Sequence, residues 1–204
     1  MPPRALLLDL LMATMDSITT WSTAAGDRDR GLAWRDAVTA RMIEAGGYTS
    51  YDELVAAAAD ELGLPPEAPT ALRAAWSRMR RWPDAAALAS LDIPYAFVTN
   101  CSSDLAAVAV ERSGLQPVFT LAAEEAGWFK PRREIYLMAA DRLDTGPGTI
   151  RFVAGAAYDA NGASAAGLST ILVSRRGLQQ PLNTEIRVVD SLVKVVADVS
   201  PPFD

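Results

Sequence analysis

The sequence predicts an α/β protein: a Rossmann-like doubly wound parallel sheet, interrupted after its first strand by an all-helical cap. Three observations carry this. Short, almost wholly apolar runs recur along the chain, as strands covered on both faces of a parallel sheet require. Helix-like stretches alternate with those runs in the second half. Residues 14–82, between the first run and the second, show no strand pattern.

The expected strands are Ala5–Leu10, Tyr95–Thr99, Val118–Ala122, Ile150–Ala154, Thr170–Val173 and Ile186–Val189. Helices are expected at Asp104–Ser113, Arg132–Arg142, Asp159–Ala166 and Ser191–Asp198. Within the early helical stretch the candidates are Leu32–Ala45, Tyr51–Leu62 and Pro69–Arg81. The middle one, "YDELVAAAADELGL", places Leu54, Ala58 and Leu62 on one face and ends at Gly63, a stop signal. The expected division is a core of residues 1–13 and 83–204 with a cap of residues 14–82. "GLPPEAP" reads as a loop and "SPPFD" as a frayed tail.

In open α/β sheets, ligands bind beyond the carboxyl ends of the strands. Four polar groups fall at such ends: Asp9, the Thr99-Asn100 pair, Lys130 and Asp159. Each also has an ordinary structural reading. Asp9 could cap the next turn, Thr99-Asn100 could be a strand-to-helix corner, and Asp159 could N-cap the helix that follows. Lys130 could be a surface lysine. Yet the chain has only two lysines, Lys130 and Lys194, among 19 basic residues, so a lysine at a strand end stands out.

Composition removes several chemistries. With no histidine, Ser-His and Cys-His catalysis and the commonest zinc ligand are absent. The single cysteine, Cys101, excludes an internal disulfide, fits a reducing cytoplasm and reads as a small buried hydrophobe. A net charge of -6 without a single-sign block predicts no nucleic-acid or membrane partner. The short apolar run at the start ends in an acid and predicts no signal peptide.

At this point the sequence resembles the haloacid dehalogenase (HAD) superfamily. "LLLDLL", "FVTNCSSDL", "WFKPRREIYLMAADRL" and "RFVAGAAYDANGASAAGL" follow the order and spacing of its four motifs, closest to the dehalogenase branch with a helical cap. The resemblance implies that Asp9 is a nucleophile forming an ester with the substrate carbon. Thr99 and Asn100 would orient the substrate, and Asn100 would also help hold the departing halide. Lys130 would keep Asp9 ionised, and Asp159 would balance Lys130. Arg35 stands where dehalogenases carry a halide-binding arginine, although Arg28, Arg30 and Arg41 nearby read as a solvated helix face. Tyr158 falls at an aromatic position beside the site, between pocket wall and core. No cofactor or metal is expected.

The chain departs from the pattern at several places. Leu11 stands where phosphatases of the superfamily need a second aspartate, which argues against phosphoryl transfer. Met12 and Ala13 replace the usual glycine and threonine. Ala154, Gly155 and Ala156 replace small polar residues and an asparagine that line the family's site. Two readings follow. One is a metal-independent hydrolase acting on a small organic acid through an Asp9 ester. The other is a catalytically reduced subunit of a partner enzyme, homo- or hetero-oligomeric, with Trp21, Trp34, Trp76 and Trp82 lining a pocket or a partner surface.

Overall fold

The computed structural model describes residues 2–175 and 180–199, so the "SPPFD" tail lies outside the described residues. Strands β1 (Ala5–Asp9), β2 (Tyr95–Thr99), β3 (Thr120–Ala122), β4 (Ile150–Ala154), β5 (Ser169–Val173) and β6 (Arg187–Val189) form one sheet in the order β3-β2-β1-β4-β5-β6. All five pairings are parallel. The chain first steps to one side of β1, then crosses back and fills the other, so the switch point falls at the carboxyl end of β1. Every residue of β1 is buried, and Leu8 lies in register with Phe97 on one side and Val153 on the other. This apolar middle forces Asp9, at the strand's end, into a largely dry environment.

Helices cover the sheet: α5 (Ser103–Ser113), α6 (Ala123–Ala126), α7 (Arg133–Arg142), α8 (Ala157–Ala165) and α9 (Leu192–Val199). Helix α8 begins two residues before its expected start, which puts Asp159 inside the first turn. Ala156 is the N-cap residue, so Asp159 is not a cap. Gly162 faces Pro131: a Cβ on it would lie 2.4 Å from the Pro131 Cβ, which only hydrogen avoids. That close approach seats α8, and with it Asp159, against the segment carrying Lys130.

Between β1 and β2 the chain is helical, in α1 (Ser17–Ala25), α2 (Arg28–Ala45), α3 (Tyr51–Glu61) and α4 (Ala68–Trp76). Asp16, Asp27 and Ser50 each accept from a first-turn amide and so start three of them. Helix α1 has no counterpart in the sequence reading, because "SITTWSTAA" is rich in residues of modest helix propensity. It forms because Asp16 and Gly26 close its ends and because it packs tightly on α2 at Gly31, where a Cβ would lie 2.6 Å from the Ser22 Cα. The buried face of α3 is Tyr51, Val55, Ala58 and Ala59; Leu62 is exposed, so the expected Leu54–Ala58–Leu62 face is off by one step.

Helix α4 stops at Trp76, short of the expected Arg81. The returning chain is drawn into an antiparallel pairing with the outgoing one: Met15 bridges Arg81, Asp16 N–H donates to Arg80 O at 2.8 Å, and Trp82 N–H donates to Thr14 O at 2.9 Å. The two connections between the sheet and α1–α4 thus run side by side at the edge of the switch point.

Candidate active site

Asp9 is followed by a single π-helical turn, Leu10–Thr14. The turn forms without glycine, contrary to what Met12 and Ala13 suggested, because the space is provided from the other side. A Cβ on Gly155 would lie 2.3 Å from Ala13 N and 2.4 Å from Met12 Cβ, so the bare glycine after β4 receives the turn. The turn aims two amides back at the strand end: Met12 N–H and Ala13 N–H donate to Asp9 Oδ2 at 2.8 and 3.1 Å. The hydrogen-bonding lining missing from the side chains is in part supplied by backbone.

The other oxygen, Asp9 Oδ1, accepts from Lys130 Nζ at 2.8 Å. Lys130 also donates to Asp159 Oδ2 at 2.7 Å and to Val98 O at 3.1 Å, and its side chain is only 1% exposed. Three donors therefore have three acceptors, as a buried ammonium requires. Burial alone pushes such an ammonium's pKa down, but the carboxylates of Asp159 and Asp9 more than reverse this and hold Lys130 above the usual lysine value. For Asp159 burial is the larger influence and lifts the acid to about 6, against the downward pull of Lys130 and Tyr136. Lys194, the second lysine, is exposed and pairs with Asp190.

Asn100 has a structural task as well. Its Oδ1 accepts from Lys130 N–H at 2.7 Å and its Nδ2 donates to Lys130 O at 3.0 Å, so the amide grips the lysine's backbone. Nδ2 also lies 3.5 Å from the Tyr158 hydroxyl. Thr99 is fully buried with its hydroxyl 3.4 Å from Cys101 Sγ. Burial pushes the Cys101 thiol up to about 12, which leaves no thiolate nucleophile.

Sequence reasoning missed Tyr136. Its hydroxyl donates to Asp159 Oδ1 at 2.6 Å, while its ring stands edge-on to Phe152 at 5.2 Å between centroids. The signal was present: a tyrosine on the apolar face of a core helix must find a partner for its hydroxyl.

A small cavity of about 40 Å³ opens above Asp9, between the carboxyl ends of the strands and α1–α3. Asp9, Thr99, Asn100, Lys130, Arg35 and Tyr158 all line it, while Asp159 does not and reaches it only through Lys130. Arg35, from α2, has an 11% exposed side chain and pairs with Asp36 at 3.0 Å. Tyr158 is half-buried, and desolvation raises its hydroxyl to about 12, so it is present as a neutral donor. Trp21 is on the cavity wall too. Trp34 and Trp76 are buried and donate to Val55 O and Leu105 O, which makes them core rather than partner surface. Among the described residues, no three cysteine, aspartate or glutamate side chains converge as a metal-holding group. No described helix is long and apolar enough to cross a membrane.

A central strand ending in an aspartate, a lysine bridging it to a second aspartate, and helices roofing the switch point make this a doubly wound α/β fold with an ion cluster at its switch point. No family model matches the sequence. In sequence the chain is similar to (S)-2-haloacid dehalogenase 4A of Burkholderia cepacia, 31% identical over 112 residues, which are 52% of this chain and 48% of that protein. It is 28% identical to (S)-2-haloacid dehalogenase 1 of Pseudomonas sp. (strain CBS-3) over 107 residues, 50% of this chain and 47% of that one. The chain spans about half the length of the relatives it matches in sequence. In structure it is similar along nearly its whole length to the L-2-haloacid dehalogenase of Xanthobacter autotrophicus, with a TM-score of 0.80, 20% identity, and coverage of 98% of this chain and 100% of that one. Another L-2-haloacid dehalogenase superposes with a TM-score of 0.84 at 18% identity, over 98% of this chain and 99% of that one. The fold is that of the haloacid dehalogenase structures, and the sequence resembles the same branch of the HAD superfamily.

Proposed function

We propose that the protein is a hydrolase of haloacid dehalogenase type, displacing a leaving group from a small organic acid without a metal. The observation that carries this reading is the ion cluster at the β1 end, where Lys130 bridges Asp9 and Asp159 beneath a small cavity. In the first step an Asp9 carboxylate oxygen attacks the carbon bearing the leaving group. The carbon–halogen bond breaks, its electron pair leaves with the halide, and an aspartyl ester remains. In the second, water adds to the ester carbonyl, and collapse returns the Asp9 carboxylate, the hydroxy acid and a proton. Oδ2, held by the amides of Met12 and Ala13, takes the negative charge of the tetrahedral intermediate, so these amides act as an oxyanion hole.

Residues 14–82 act as the cap over a core formed by residues 1–13 and 83–204. Arg35 and Tyr158 anchor the substrate or the departing halide from the cavity wall. A cavity of about 40 Å³ suits a guest of few heavy atoms, well below the roughly 300 Å³ at which drug-sized sites begin. The test is halide release from a panel of short 2-halo acids by the wild type and by Asp9→Asn. Release that disappears in the variant supports the ester; no release by either protein sinks the reading and favours a reduced, partner-binding subunit.

A further inference from the structure

Trp82 and Arg175 lie outside the cavity lining, yet both reach the backbone of the turn that holds Asp9. The peptide joining Met12 to Ala13 is engaged at both ends. Its N–H, on Ala13, donates to Asp9 Oδ2 at 3.1 Å, and its C=O, on Met12, accepts from Trp82 Nε1 at 3.1 Å. In a trans peptide these two groups point in opposite directions, so the indole N–H and the carboxylate lie on the two sides of one dipole.

The next two carbonyls are held from the same side. Ala13 O accepts from Arg175 Nη2, and Thr14 O accepts from the Trp82 backbone N–H at 2.9 Å. Arg175 is buried, lays its guanidinium 5.0 Å from the Trp82 ring centroid and pairs with Asp84 at 2.8 Å. The same Asp84 oxygen accepts from Leu192 N–H at 2.7 Å, which ties the assembly to α9. Three consecutive carbonyls of the turn are thus fixed on the face away from Asp9.

A hydrogen bond accepted at one end of a peptide polarises it and strengthens donation at the other. We propose that Trp82, braced by Arg175, is a positioning residue for ester hydrolysis: it fixes and polarises the Met12–Ala13 peptide that stabilises charge on Asp9 Oδ2. This rests on the ester reading above. It also accounts for a turn that works without the family's glycine and threonine, because side chains from distant segments supply its rigidity.

Trp82→Phe keeps an aromatic face for Arg175 and removes the indole donor together with part of the ring's volume. It is to be compared with wild type using 2-chloropropionate, by steady-state kinetics, by mass spectrometry of the quenched peptide bearing Asp9, and by the Ala13 amide resonance. The expected result is a fall in kcat of about tenfold, the loss of one hydrogen bond at a developing charge. KM does not rise, the fraction of enzyme trapped as the Asp9 ester increases, and the Ala13 amide resonance shifts upfield. Arg175→Met shows the same pattern more weakly and serves as the second variant should Trp82→Phe not fold. An unmoved Ala13 amide in a folded variant, or a kcat loss with raised KM and no ester accumulation, overturns the proposal. A wild type that forms no ester removes the hydrolase reading alone; the Ala13 amide then still decides whether Trp82 positions the turn.

Discussion

Gly155 and Ala13 approach so closely that a methyl group on Gly155 would lie 2.3 Å from the Ala13 backbone nitrogen. That nitrogen is one of the two donors to Asp9 Oδ2, so the space left by a missing side chain sets the geometry of the Asp9 carboxylate. Gly155→Ala must displace backbone rather than a flexible side chain. The expected cost is about 1–3 kcal/mol of stability, read as a lower urea midpoint with unchanged slope, together with loss of halide release. Full activity in a folded Gly155→Ala protein would show that the turn tolerates displacement.

Among the described residues, Lys130 is the cation that pairs with both Asp9 and Asp159, at 2.8 and 2.7 Å. Lys130→Met leaves two buried carboxylates facing each other. Removing one partner from a buried ion cluster costs about 3–5 kcal/mol, and the expected variant is both inactive and strongly destabilised at neutral pH. Lowering the pH toward 5 recovers part of the stability by protonating a carboxylate, which thermal melts at two pH values will read. A melting temperature insensitive to pH would contradict this.

The Tyr136 hydroxyl bond pulls the Asp159 acid downward, against burial that lifts it to about 6. Because its folded value is raised above 3.8, Asp159 holds its proton more tightly in the folded state, and its contribution to stability falls as pH rises from about 4 to about 6. Activity runs the other way, since a protonated Asp159 releases Lys130 to bind Asp9 alone. Halide release should therefore climb through about pH 6 and level off above it. Tyr136→Phe removes the downward pull and moves this limb to higher pH; an unmoved limb would assign the titration to another group.

Arg35 reaches the cavity from α2 with little solvent on its side chain. If it anchors the acid group or the halide, Arg35→Met removes a charged hydrogen bond, and KM rises about ten- to hundredfold. Stability changes little, because its ion pair with Asp36 involves an exposed acid. An unchanged KM would return Arg35 to the solvated face of its helix.

Much of the framework was legible from residue types alone. β2 and β4 lie where the apolar runs place them, and Asp9 and Asn100 stand at the ends of β1 and β2, because a buried strand has no room for polar residues until it emerges. Lys130, beyond α6, and Asp159, in the first turn of α8, join them only in space. Helix α1 has weak local propensity and is stabilised by its end caps and by packing on α2, neither of which a periodic pattern shows. Asn100 lines the cavity, and both ends of its amide also bind the Lys130 backbone, a grip that no local pattern shows.

The sequence by itself determined the alternation of strands and helices and the presence of a carboxylate at the end of the first strand. Those features follow from local periodicity and from the cost of burying charge, which act on neighbouring residues. Only the tertiary structure decided what holds Asp9: Gly155 receiving the turn, Trp82 and Arg175 fixing its carbonyls from 70 and 162 residues away, and Tyr136 steadying Asp159. Hydrogen bonds over such separations depend on where whole segments pack, and no local pattern of residues encodes that distance.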